Sequence, residues 1–260
     1  MKLYFRYISM LLKSETQYKA SFAMSVITQF IQPFALFAGI YFLFKRFGNI
    51  KGWTLYEVFF CYSVVAICFS IAKCFARGFD KFPGMVKSAS FDRVLVRPRG
   101  TVLQVLGSGF DIKRIGFFIQ GLLVLVIAII NAQISWNFVK IIILINMIIG
   151  GSVIFSGVYM LQAAAAFWTI EGLEFANIFT HGIKEHASYP LNIFPKWITF
   201  IFTFIIPFGT VTYLPLQYLM GKTDGFAGFY AALPLFGGLF ILPCILIWKI
   251  GVRKYSSAGS

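Results

Sequence analysis

The sequence predicts an all-α polytopic membrane protein with about six transmembrane helices, and three observations lead to that fold class. The 260 residues are 59% hydrophobic and 12% charged, with a mean hydropathy of +0.81, whereas a soluble domain carries about 25% charge. Apolar runs recur along the chain, most near the ~20 residues that a helix needs to cross ~30 Å of hydrocarbon. Lys and Arg gather between these runs, with nine of the 23 in the single stretch Lys73 to Arg114. Such a stretch stays on the cytoplasmic side, because moving it across the bilayer during insertion is costly. It therefore sets the orientation of every other segment.

The net charge of +14 reads as cytoplasmic loops facing anionic lipid rather than as a nucleic-acid surface, since the basic residues surround apolar spans. Cys61, Cys68, Cys74 and Cys244 lie in or beside apolar runs and form no CxxC pair. They read as small buried hydrophobes, not as disulfides or metal ligands.

The N-terminal segment 1–21 carries Lys2, Arg6, Lys13 and Lys19, and the apolar run after it is too long for a cleavable signal. Lys2, Arg6, Lys13 and Gln17 fall on one helical stripe, opposite Leu3, Tyr4, Tyr7 and Leu11. This predicts either a helix lying in the inner interface or a plain charged flank. The first span covers 22–44, with a kink at Pro33, and a short external loop with Lys45, Arg46 and Lys51 follows. The second covers 55–72 and carries Glu57 near its outer end, either as a pathway carboxylate or as a snorkelling interfacial residue.

Beyond the basic stretch, spans three and four cover 116–134 and 141–167, with Lys140 in the turn between. Gly150, Gly151, Ser152, Ser156 and Gly157 suit close helix packing rather than a substrate groove. The polar segment Thr169 to Lys196 holds Glu171, Glu174, His181, Lys184, Glu185 and His186. It is placed on the cytoplasmic side, with the alternative that Glu174 to Pro190 forms a short polar crossing. The fifth span covers 194–219, and Pro207 and Pro215 make its outer part broken or re-entrant. The sixth covers 226–248, before the basic tail of Lys249, Arg253 and Lys254. This arrangement puts 18 of the Lys and Arg inside and five outside, with both termini cytoplasmic.

No GxxxxGK[ST] loop is present, so the chain shows no means of cradling ATP and no sign of being an enzyme. His181 and His186 are five residues apart, which does not place both on one helical face for zinc. Asp80, Asp92 and Asp111 have no paired carboxylate or nucleophile nearby and read as salt-bridge or cap residues.

Particular residues carry a resemblance. The run Ser90-Phe-Asp-Arg-Val-Leu-Val-Arg-Pro98 resembles the (L/F)D-x-x-L-(L/V)-R-P element that follows the second span in a six-span bacterial branch of the ABC-2 (type-2) permeases. Ala166 to Glu174, Tyr189-Pro-Leu-Asn-Ile-Phe-Pro-Lys-Trp197, Ile206-Pro207 and Tyr213-Leu-Pro215 are similar to its second signature. Arg253-Lys-Tyr-Ser-Ser-Ala-Gly259 is similar to its tyrosine-containing basic tail. The chain departs from the pattern at Ser88-Ala89-Ser90, where the family element often has Gly two or so residues before the aromatic or leucine.

The resemblance implies a single permease domain over 1–260, with 73–115 as a cytoplasmic coupling region. It implies pairing with a second copy or a similar permease, and docking of two cytoplasmic ATPase subunits that bind the ATP and Mg. The docking helix would fall within about Gly84 to Val96, with Phe91, Asp92, Arg93 and Arg97 as contacts or positioning residues. Arg97 before Pro98 suits the end of that helix, where a guanidinium can pair bidentately with a partner carboxylate; lipid headgroups are the alternative ligand. The implied function is alternating-access export of a hydrophobic or amphipathic substrate across a bacterial cytoplasmic membrane. The Phe-, Ile- and Lys-rich composition suits a low-GC bacterial source. Two other classes remain open: a non-transporting membrane scaffold or sensor subunit, and a lipid-modifying membrane enzyme, for which no cluster of catalytic groups is visible.

Overall fold

The computed structural model describes the backbone of residues 2–169 and 173–256, and the side chains of 7–169 and 180–256. Among the described residues the structure is helices and short connections, with one isolated bridge between Ile50 and Trp53. α1 spans Lys2–Thr16, so the N-terminal helix stops five residues short of the expected 1–21 segment. Lys2 and Arg6 of the basic stripe lie outside the described side chains.

The first apolar run forms α2 (Lys19–Ile31) and α3 (Phe34–Phe47). They break at Gln32-Pro33, because Pro lacks the N–H that would continue the ladder. α2 buries no residue, and the pair exposes Met24, Ile27, Ile31, Phe34 and Phe42, as a helix on the lipid side of a bundle does.

α4 (Leu55–Phe75) is buried along almost its whole length, which fits a helix that is apolar all round. It starts at a capping box in which Thr54 and Glu57 exchange side-chain and backbone bonds. Around it pack α8 (Ile115–Asn131) and α9 (Phe138–Ala165), with α13 (Ala227–Gly238) and α14 (Ile241–Lys254) against α9. A Cβ on Gly150 would sit 2.1 Å from the Pro234 carbonyl oxygen and one on Gly151 2.6 Å from Cys68 Sγ, so the small residues of α9 serve close packing. The last span extends to Lys254, and α13 gives way to α14 at Leu239-Phe240, just after Gly237 and Gly238.

The two ends of the bundle differ. The Lys73 to Arg114 stretch and the C-terminal end of α14 meet at one, the basic end: Trp248 Nε1 donates to Thr101 Oγ1 at 3.0 Å. At the opposite end, Trp53 Nε1 donates to Asn192 Oδ1 at 2.8 Å, and Lys51 Nζ to the Asn192 carbonyl at 2.9 Å. Lys222 Nζ there meets Glu57 Oε2 at 2.8 Å and lies 4.1 Å from the Trp53 ring centre. Glu57 is thus a cap and ion-pair residue.

The described contacts of the Thr169 to Lys196 segment fit the second of its two alternatives, a short polar crossing. α10 (Leu173–Ala187) runs from one end toward the other. Thr180 Oγ1 donates to Gln162 near the end of α9 at 2.7 Å, Cys61 Sγ to the Ala187 carbonyl at 3.5 Å, and Asn192 joins the Trp53 loop. Its described residues His181, Lys184 and Glu185 line one cleft between helices, as polar groups within a bundle do.

The expected fifth span, 194–219, changes shape as a result. α11 (Lys196–Phe200) runs into a π turn at Ile201–Ile205 and then, across Ile206-Pro207, bends by 82° toward α12 (Tyr213–Leu219). Asn192 before this pair and Leu219 at its end both lie at the opposite end, since Lys140 Nζ reaches the Leu219 carbonyl at 3.3 Å. The pair goes in and returns. Of the two readings of Pro207, broken crossing or re-entrant turn, the geometry matches the second.

Candidate coupling site

The basic stretch folds into three short helices. α5 (Arg77–Lys87) buries Phe79, Phe82 and Val86, an i, i+3, i+7 face, and keeps Lys81 and Lys87 on its polar side. Asp80 pairs with Arg77 at 3.3 Å and Lys73 at 3.8 Å, and Asp111 with Arg114 at 3.3 Å and Arg77 at 3.8 Å. These ion pairs tie α5 to the ends of α4 and α8. α6 (Asp92–Leu95) and α7 (Thr101–Gly107) follow.

The single docking helix expected over Gly84 to Val96 is two helices. The chain leaves α5 at Ser88 and turns through Ala89, whose φ of 52° lies in the left-handed region that favours glycine. The turn falls at the position where the resembled element often has Gly. It explains both the break and the cost of having Ala there.

The turn places the candidate residues differently from one another. Phe91 is fully buried, edge-on to Phe82 at 4.9 Å and to Tyr255 at 5.1 Å, so it anchors the tip from inside rather than touching a partner. Asp92 Oδ1 accepts a 2.9 Å hydrogen bond from the Tyr255 hydroxyl and is half-buried. Arg93 and Arg97 are exposed, and Arg97 Nη1 lies 3.5 Å from the Tyr7 hydroxyl of α1. Sequence reasoning missed two neighbours: Leu95 is 40% and Val96 82% exposed, so an apolar point projects between Arg93 and Arg97. Their signal was an apolar pair in a polar loop with no helical partner face. Gln104 Nε2 holds this point from behind, donating to the carbonyls of Val94 at 3.1 Å and Arg99 at 2.9 Å.

Behind the point lies an aromatic cluster that joins it to two long helices. Phe82 stands 4.7 Å from Trp248 of α14 and 5.0 Å from Phe167, which follows α9. Phe79 and Phe167 each lie 5.3 Å from Trp248. Gly251 of α14 lets Phe167 in, since a Cβ there would lie 2.3 Å from Phe167 Cδ2. Rings packed this closely transmit displacement rather than absorb it.

The described residues hold no group of three or more His, Cys, Asp or Glu placed for a metal ion. His181 packs on Phe69 at 6.0 Å, and His186 stacks on Phe202 at 5.8 Å.

A family model described as ABC-2 family transporter protein matches residues 30–259. The chain belongs to the ABC-2 transporter family. No curated protein and no solved structure gives a significant match. The match covers all of this ABC-2 protein except α1 and most of α2. With five apolar helices of spanning length among the described residues, besides the bent α11–α12 pair, it is a multi-pass membrane protein of an ABC transporter.

Proposed function

We propose that this ABC-2 protein is a permease subunit that exports a hydrophobic or amphipathic substrate by alternating access, driven by a separate cytoplasmic ATPase. The basic end is cytoplasmic, with both termini on that side of a bacterial cytoplasmic membrane. Six crossings follow: α2–α3, α4, α8, α9, α10 and α13–α14, with α11–α12 re-entrant from outside.

The observation that carries this reading is the exposed point at Leu95 and Val96, flanked by Arg93 and Arg97 and backed by rings from α5, α9 and α14. An apolar knob rimmed by guanidinium groups suits a groove on an ATPase whose edge carries carboxylates. ATP and Mg bind on that partner, and the nucleotide acts through its different affinity for two arrangements of the pair. The permease works with a second copy or a similar permease. The lipid-exposed α2–α3 face is where annular lipid or that second subunit packs.

Co-expression with the adjacent ATPase gene tests the reading. The intact pair is expected to co-purify and hydrolyse ATP, while Arg97→Ala loses the complex or its stimulation. Failure of any ATPase to associate, with Arg97→Ala behaving as wild type, would move the scaffold or sensor reading to first place.

A further inference from the structure

Lys73 of α4, Arg114 at the start of α8 and Lys184 of α10 converge on one cleft of about 470 Å³. Three elements of the bundle each bring a cation to it. One carboxylate, Glu185, lines it with them. Cations inside a membrane bundle are costly unless they are paired or serve a ligand.

Two of the three are paired. Lys73 has Asp80, and Arg114 has Asp111 and a 2.7 Å bond to Gln29 Oε1. Lys184 is not: among the described residues no carboxylate oxygen lies within 4 Å of its ammonium. It stands instead over the rings of Phe117 at 4.7 Å and Phe69 at 5.2 Å. Ring faces offset part of the desolvation of an ammonium but supply no counter-charge. The cleft has room for one.

The cleft does not end at Arg114. Arg114 and Gln29 also line a second cleft of about 430 Å³ that carries Arg77, Lys81 and Lys113 at the basic end. The two share these walls, and Glu15 and Asp111 also line the outer cleft, where Lys113 pairs with Glu15 and Arg77 with Asp111. Apolar side chains accompany them, Met24 in the outer cleft and Leu36 in the inner one, both on the α2–α3 pair. An anion that followed the cations would carry an apolar body along that helix pair.

We infer that the cleft at Lys184 is the loading site for an amphiphile with a phosphate-type anionic head, which Lys184, Lys73 and Arg114 hold while the tail lies against α2–α3. This rests on the transporter reading and narrows its substrate class. A head of that charge is favoured over a neutral one by the excess of cations, and over a cationic one by the same field.

The test is binding of dodecyl phosphate to the full-length permease in phosphatidylcholine nanodiscs, with dodecanol, dodecyltrimethylammonium and inorganic phosphate as comparison probes. Dodecyl phosphate is expected to bind at least tenfold more tightly than each of the others. Lys184→Gln is expected to weaken it about tenfold, the equivalent of about 1.4 kcal/mol, and Lys184→Arg to restore it. Glu185→Gln should tighten it, a shift in the opposite sense that stands even if Lys184→Gln fails to fold. Equal binding of the charged and neutral probes, or no response to either charge change, overturns the inference. Equal binding of inorganic phosphate overturns the amphiphile.

A resident lipid is separated by adding phosphatidylglycerol to the nanodiscs. Retention of dodecyl phosphate, together with its stimulation of ATP hydrolysis in the co-expressed complex, supports a transported head. Displacement by an equimolar amount of lipid, or binding with no stimulation in a complex that hydrolyses ATP, assigns the cleft to lipid and overturns the substrate claim. Because binding is read on the permease alone, a complex that never forms sinks the transporter reading without touching the binding result.

Discussion

Tyr255 donates a 2.9 Å hydrogen bond to Asp92 across 163 residues of sequence. The bond joins the residue that follows α14 to the first residue of α6. A hydrogen bond to a carboxylate contributes about 1.5–3 kcal/mol, so Tyr255→Phe is expected to loosen the tip without unfolding the bundle. The measurement is ATP hydrolysis by the co-expressed complex: substrate stimulation should fall several-fold while thermal unfolding of the permease shifts by only a few degrees.

Val96 contributes nothing to the core, being 82% exposed. Val96→Asp is therefore expected to leave expression and unfolding unchanged, yet to reduce ATPase co-purification at least tenfold, as loss of an apolar anchor at an interface does. Phe91→Ala should act the other way, lowering stability by about 3–5 kcal/mol because it empties a buried site.

Ala89 occupies a left-handed turn at φ 52°. Replacing it with Gly removes a cost of roughly 1 kcal/mol for a Cβ in that region, and Ala89→Gly is expected to raise the unfolding midpoint in detergent. A lowered midpoint would show that the turn is not held in this geometry.

Gly251 faces Phe167, and a Cβ there would stand 2.3 Å from Cδ2 of the ring. Gly251→Val is expected to push Phe167 off Trp248 and to cost about 1–3 kcal/mol by overpacking. The same change should uncouple ATP hydrolysis from substrate, which separates the relay role of this cluster from simple stability.

The side on which α10 ends is open to labelling. In whole cells an impermeant maleimide is expected to modify Lys196→Cys and Asp224→Cys, both at exposed positions, and not Gly100→Cys. Labelling of Asp224→Cys with neither Gly100→Cys nor Lys196→Cys modified would return the Thr169 to Lys196 segment to the cytoplasmic side.

The spanning helices were legible in the sequence because their information is local: long apolar runs, with Pro33 marking a real break between α2 and α3. α10 was legible only as one of two alternatives, because His181, Lys184 and Glu185 look solvated until neighbouring helices supply the cleft they line. The fifth apolar run is apolar enough for a crossing, and Pro207 and Pro215 left a broken and a re-entrant form open. Only the long-range contacts of Asn192 and Leu219 show that it returns to the end it left. Within the basic stretch, Phe91 and Val96 could not be told apart by type. Both are apolar residues in a polar stretch, and Phe82, Phe167 and Tyr255, brought from three distant places, decide which one is buried. Ala89 in turn shows why one expected helix is two: a departure from Gly at that position conceals a turn that the pattern requires.

The central claim is that the Leu95-Val96 point touches an ATPase, and a photoreactive amino acid at position 96 tests it most directly. Illumination of the co-expressed complex in membranes is expected to yield a permease–ATPase adduct from position 96, with none from the same probe at Asp224 on the far end of the bundle. An ATPase present and active in those membranes, with no adduct from position 96, would contradict the assignment.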